Sequence, residues 1–288
     1  EALPNLKDQS SRTYHLAWWA NEIGFKVLGD IRASTISECR EKLRQSPSYF
    51  GRHKGHIRSE TTVNRYLASL SALLSIAVRE WNWLESNPCK NVKRGKEPRG
   101  RVRFLSHKER IDLLEACENS KLLELKIIVL LAMTTGARRG EIMNLRWRHM
   151  DLKSNKMTLV ETKNGDTRSV PLVNPALKEI QYWTKIRSID EDSYVFPGRT
   201  DITRNKPIDF DKAWREALFI SGVTDFRFHD LRHTAASYLA MNGAGIREIG
   251  DILGHKSLAM VQRYSHLCDD HKRATVGRMA TAVFGSNV

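Results

Sequence analysis

The sequence predicts a mainly α-helical protein of two domains carrying one small antiparallel β-sheet. Apolar residues recur at three- and four-residue spacing along most of the 288 residues, the pattern of amphipathic helices. The segment 156–172, KMTLVETKNGDTRSVPL, instead alternates in strand fashion around Asn164-Gly165, a strong hairpin signal. A basic run bearing glycine and proline at 91–103, NVKRGKEPRGRVR, interrupts the helical pattern, and a chain of this length exceeds what one hydrophobic core commonly fills.

The first domain, 1–90, reads as a small helical bundle. SSRTYHLAWWANEIG, STISECREKLRQ and SETTVNRYLASLSALLSIAVREW each begin at or near a Ser or Thr able to cap free N–H groups. Trp18, Trp19, Trp81 and Trp83 lie on this periodicity and read mainly as core. Between the second and third helices, PSYFGRHKGHIR collects Arg52, His53, Lys54, His56 and Arg58. Such a cluster is either solvated surface or a phosphate contact, because Asn64 and Arg65 open the next helix beside it and helix N-termini accept phosphates. Residues 91–104 form a linker with six basic side chains in its first thirteen positions, Lys93, Arg94, Arg99 and Arg101 among them. Its composition fits either a solvated tether or a basic strap along a phosphate backbone.

The second domain, 105–288, opens on the capping box Ser106-His107-Lys108-Glu109. Helices are expected at 107–118 and 122–134, with Gly136 as a stop and a new helix from about Arg138. After the hairpin, helices follow at 175–187 (Asn174 capping, Pro175 first), 209–221, 229–241, 246–253, 257–266 and from about 270 to 283. Ala274, Val276, Met279, Val283 and Phe284 put an apolar stripe on the last of these, suited to docking on its own domain or on a second copy.

Charge narrows the partner. Lys plus Arg number 47 against 33 Asp plus Glu, giving a net charge of +14 and an isoelectric point near 9.8. That excess, spread through a folded composition, points to a polyanion such as nucleic acid. The apolar run IIVLLAM at 127–133 is far too short to span a bilayer, and no secretory signal pattern opens the sequence. Cys39, Cys89, Cys117 and Cys268 lie far apart without a C-x-x-C pair, so neither a zinc site nor a disulfide framework is suggested.

The chemistry concentrates in HDLRH, 229–233, and LGHKSLAMVQRY, 253–264. On a helix opening at His229, His229, Arg232 and His233 share a face; His255 and Tyr264 follow. Taken alone, H-x-x-R is an ordinary surface cluster. With TGARRGE at 135–141 and TKNG at 162–165 in the same order, these segments resemble the tyrosine recombinase, or phage integrase, family. The resemblance spans about 105–266, and the preceding bundle fits the family's core-binding domain in size and position.

The resemblance implies that Arg138 and Arg232 clamp a scissile phosphate, that Lys163 is the general acid, that His229 and His255 complete the site, and that Tyr264 is the nucleophile. Glu141 supports the site. His229 is the expected base, whereas His233 reads as structural and Arg139 as a surface or DNA-backbone contact. No metal and no cofactor are expected. The implied activity is cutting and rejoining double-stranded DNA attachment sites through a 3′-phosphotyrosine, by four copies acting together, with accessory DNA-bending proteins as further partners, in the bacterial cytoplasm at the nucleoid. A chromosomal Xer-type recombinase, a type IB topoisomerase-like enzyme and a non-catalytic DNA-binding regulator are the alternatives. The LGHKS turn nine residues before Tyr264 favours a recombinase over a topoisomerase, and a regulator would be marked by a missing Tyr or Arg.

Overall fold

The computed structural model describes residues 9–48, 55–98, 100–160, 167–186, 189–255 and 257–285. The chain divides into two compact units, Glu1–Gly100 and Arg101–Val288.

In the first unit, α1 (Gln9–Ile23), α2 (Ala33–Gln45) and α3 (Glu60–Arg79) surround one core. Helix α3 presents Val63, Tyr66, Leu67, Leu70 and Leu74 on a single buried face, and the indole of Trp19 donates to the Tyr66 carbonyl at 2.9 Å. Ser59 caps α3 by accepting from the Thr62 N–H. Helix α2 has Arg32 at its N-cap, with no side-chain cap. Trp19 is buried as expected, but Trp83 lies beyond α3 and is exposed: helical periodicity stops counting where the helix ends.

The basic segment after this bundle is tied down at both ends. Val92 is buried in the first core, Arg40 donates to the Lys93 carbonyl, and the Asn64 amide bonds both the backbone of Gly95 and the Glu97 carboxylate. On the second unit, Arg101 pairs with Asp225 and Asp230, Arg103 pairs with Glu109, and the Leu105 N–H donates to Thr234. Each described stretch of this segment is anchored by specific side chains within its own unit.

The second unit is built on α5 (Glu124–Thr135), ELKIIVLLAMTT, most of whose residues are buried, as a helix enclosed by its neighbours requires. Helix α4 (His107–Glu118) opens with the full capping box of Ser106 and Glu109. Gly136 ends α5 at φ +62°, where a Cβ would come 2.1 Å from Leu253. The short α6 (Arg139–Met143) follows, with Arg138 as its N-cap residue. Strands β1 (Met150–Asp151), β2 (Lys156–Val160) and β3 (Thr167–Pro171) form an antiparallel sheet in the order β1-β2-β3. The register pairs Leu159 with Arg168 and Met157 with Val170. Helices α7 (Ala176–Ile186), α8 (Asp211–Ile220), α9 (Asp230–Met241), α10 (Ile246–Leu253) and α11 (Asp269–Phe284) complete the unit.

One expected helix is wound differently. The helix foreseen at 257–266 is a pair of 3-10 turns, Leu258–Met260 and Gln262–Cys268. On α11, whose apolar stripe suited docking on its own domain or on a second copy, Val276, Met279, Val283 and Phe284 are exposed.

Candidate active site

Four segments of the second unit meet where α5 ends, α9 begins and α10 turns. Helix α9 brings in His229 at its N-cap, followed by Arg232 and His233. Arg232 is only 4 % exposed; its Nη1 donates to the Gly136 carbonyl at 2.7 Å, and its buried Nη2 has no hydrogen-bond partner among the described residues. Burial, then the positive charges of Arg138 and Arg168, push its guanidinium down to about 10. A buried charge with an unused donor is suited to an anion that takes two-pronged recognition.

Arg138 holds Glu141 twice, through its backbone N–H and through Nη1, each at 2.8 Å. Its Nη2 lies 3.4 Å from the Gly254 carbonyl. Glu141 is buried; burial alone would raise its carboxyl, but bonds from Arg168 and Arg138 outweigh that and hold it below the usual carboxylate range. Arg168 grips the same carboxylate bidentately, at 2.9 and 2.7 Å, and its Nε donates to the Ile252 carbonyl at 3.2 Å.

Helix α10 ends on Gly254 at φ +65° and delivers His255, whose buried Nδ1 has no hydrogen-bond partner among the described residues. Burial, then Arg232 and Arg138, push this imidazole down to about 4. Tyr264 follows in the second 3-10 turn, 1 % exposed and packed with Ala236, Ile249, Leu253 and Val261. Its hydroxyl is hydrogen-bonded to Nδ1 of His233. Burial raises the phenol, while Arg263 and Arg232 pull against that rise. His233 is pushed down to about 4, first by burial and then by His229. The rings of His229 and His233 stand 5.5 Å apart, edge to face. His229 keeps an exposed edge, yet the protein around the ring and then Arg232 lower its pKa as well. At neutral pH the site therefore holds neutral imidazoles among arginines, beside a buried phenol.

Residues 103–271 match the Phage integrase family. The integrase of Salmonella phage P22 is 32 % identical over 259 residues, covering 87 % of this chain and 64 % of that protein. The shufflon-specific DNA recombinase of Escherichia coli is 38 % identical over 207 residues, covering 72 % of this chain and 51 % of that protein. The chain belongs to the phage integrase family. It spans less than two thirds of the length of those two relatives. Among solved structures, the Tn1549 transposon integrase in complex with transposon right end DNA superposes with a TM-score of 0.71 at 17 % identity, covering 96 % of this chain and 95 % of that one. A lambda integrase dimer bound to a COC′ core site gives 0.64 at 19 % identity, covering 91 % of this chain and 73 % of that one. These two likenesses establish the fold.

Of the residues the family resemblance singled out, Arg138, Glu141, His229, Arg232, His255 and Tyr264 are drawn together as described. Lys163 lies outside the described residues, as do Arg52, Lys54 and Arg99. Arg65, Lys93 and Arg94 are exposed. Three other candidates for DNA contact are engaged internally. Arg58 is buried, donating to Ser46 and lying over the Tyr66 ring; Asn64 pins Gly95 and Glu97; Arg101 is held by Asp225 and Asp230. Arg139 pairs with Asp211 and lies over the Phe210 ring.

Two residues gain importance over the sequence reading. His233, read as structural, is the imidazole that touches the Tyr264 hydroxyl, where His229 was the expected base. Arg168 was not singled out at all. Its signal was present: it shares a strand face with the buried Val170 and lies opposite the buried Leu159, and a charge on an inward face needs a partner.

Proposed function

We propose that this chain is a site-specific DNA recombinase, the integrase of a phage or other mobile element, which cuts and rejoins DNA through a 3′-phosphotyrosine on Tyr264. The observation that supports this most is the buried Nη2 of Arg232, without a partner among the described residues and set among Arg138 and His255 beside a tyrosine held by a histidine. A phosphodiester under attack spreads negative charge over its equatorial oxygens, and guanidiniums are shaped to receive it. Losing one such donor typically costs ~10²–10³ in rate.

In this reading Tyr264 Oη attacks the scissile phosphorus, forming the phosphotyrosyl bond as the bond to the 5′-oxygen breaks. The phenolic proton passes to a histidine of the HDLRH segment, with His233 first in line by its hydrogen bond. Lys163 protonates the departing 5′-oxygen. Reversal by another strand's 5′-hydroxyl reseals the backbone without ATP, because the phosphotyrosyl ester conserves the bond energy. His255 donates to a non-bridging phosphate oxygen, which gives its idle Nδ1 edge or the opposite ring nitrogen a partner.

Double-stranded attachment sites are the partner, contacted by the exposed Arg65, Lys93 and Arg94 along with the segment 91–104. Four copies act on two sites, with accessory DNA-bending proteins, inside a bacterial cell at the nucleoid. The names of the P22 and shufflon relatives and the DNA-bound Tn1549 and lambda integrases support this assignment. The test is strand exchange between two labelled duplexes carrying the sequence that the protein selects from a random pool, run in chelator without ATP. Exchanged products are expected; binding without exchange by the full-length protein and a bending protein would favour a non-catalytic regulator.

A further inference from the structure

We propose that Arg168 is a positioning residue of this site, holding the Glu141 carboxylate so that Arg138 meets the phosphate in a fixed geometry; the inference rests on the recombinase reading above. Its side chain reaches from β3 into two other segments. It occupies both oxygens of Glu141 at 2.9 and 2.7 Å, and it donates through Nε to the Ile252 carbonyl at 3.2 Å. It also passes so close to the turn before His255 that a Cβ on Gly254 would lie 2.9 Å from its Cδ. One side chain therefore braces both the α6 N-terminus, where Arg138 sits, and the α10 C-terminus, which delivers His255.

Charge explains why an arginine is needed. Glu141 is buried, and a buried carboxylate shared with Arg138 alone would neutralise the cation meant for the phosphate. With Arg168 the group of Arg138, Glu141 and Arg168 carries one net positive charge, and each carboxylate oxygen accepts from both arginines. A lysine cannot reproduce this: it supplies one charge without the planar fork that spans both oxygens. Partners that orient a reacting or ligating group typically cost ~10–100-fold when removed.

Arg168→Met and Arg168→Lys are compared with the unaltered protein in single-turnover formation of the covalent adduct on a nicked duplex of selected sequence, with gel-shift affinity and melting temperature measured alongside. Arg168→Met is expected to slow adduct formation ~10–100-fold with affinity for the duplex retained, and Arg168→Lys to fall between it and the unaltered protein. Adduct formation by Arg168→Met at the unaltered rate overturns the proposal. So does a folded Arg168→Lys that is no faster than Arg168→Met, or a loss carried entirely by affinity. If Arg168→Met does not fold, Arg168→Lys decides: reaction at the unaltered rate overturns the proposal, and slower reaction at unaltered affinity supports it. If the unaltered protein itself forms no adduct on a duplex it binds, the recombinase reading falls, and this inference with it.

Discussion

Replacing Glu141 by Gln keeps the shape of the side chain and removes its charge. The carboxylate accepts from the Arg138 N–H, from Arg138 Nη1 and from both terminal nitrogens of Arg168, at 2.7 to 2.9 Å. A glutamine amide presents its own N–H groups to one of these donors, and two guanidiniums lose their counter-charge. Removing one partner of a buried ion pair costs about 3–5 kcal/mol. Because the Arg138 side chain is 32 % exposed and water screens part of the loss, the low end, about 3 kcal/mol, applies. In a unit of this size ~1 kcal/mol moves the melting temperature by ~2–4 °C, so Glu141→Gln should melt about 6–12 °C lower at pH 7. Circular dichroism on heating reads this directly. The pH dependence supplies a second check. Glu141 has a folded pKa below its unfolded value, so the unfolded chain binds more protons in that window. Its contribution is complete above the unfolded value near ~4.3 and is lost as pH falls through the folded one. The gap between unaltered protein and variant should narrow below that pH. A drop under ~2 °C at pH 7, less than the shift from ~1 kcal/mol, would refute the view that this carboxylate is a buried charge balancing two arginines.

Gly136→Ala meets two obstacles, a φ of +62° and a Cβ 2.1 Å from Leu253; backbone strain alone costs ~1–2 kcal/mol. Since the Gly136 carbonyl holds Arg232, the variant should lose adduct-forming rate as well as melting temperature, and a loss of melting temperature alone would contradict that link. For His233 and His255, pushed down to about 4, the unfolded chain with histidines near ~6.5 binds more protons between the two values. Stability should therefore fall as pH drops from about 6.5 towards 4, and a flat melting temperature across that range would refute the assignment. DNA binding should take up protons near pH 6, measurable by calorimetry in buffers of different ionisation enthalpy, because phosphate in the site favours the imidazolium forms.

Where local signals determine structure, the sequence was legible. Ser106 with Glu109, Gly136, Ser59 and the strand alternation at 156–160 and 167–171 each act over a few residues, and each lies where expected, while the Asn164-Gly165 turn lies outside the described residues. The 3-10 turns around Tyr264 were not legible: their residues keep helical spacing, and only packing against α9 and α10 decides their tighter winding. In the same way, the pairing of Arg58 with Ser46 and of Asn64 with Gly95 depends on segments 12 and 31 residues away. Charge composition marks such side chains as candidates for DNA and cannot see their internal partners. His233 shows the limit within the site itself. Its place one residue after Arg232 was plain, but the bond to Tyr264 joins residues 31 positions apart.

In the proposed reaction Tyr264 forms the bond to DNA. The most direct measurement is trapping on a nicked duplex of selected sequence in chelator, followed by proteolysis and mass spectrometry of the DNA-linked peptide, with Tyr264→Phe in parallel. A nucleotide mass is expected on the peptide containing Tyr264, attached through a 3′-phosphate, with no adduct from Tyr264→Phe at equal DNA affinity. An adduct mapped to another residue, or one that persists in Tyr264→Phe, would contradict it.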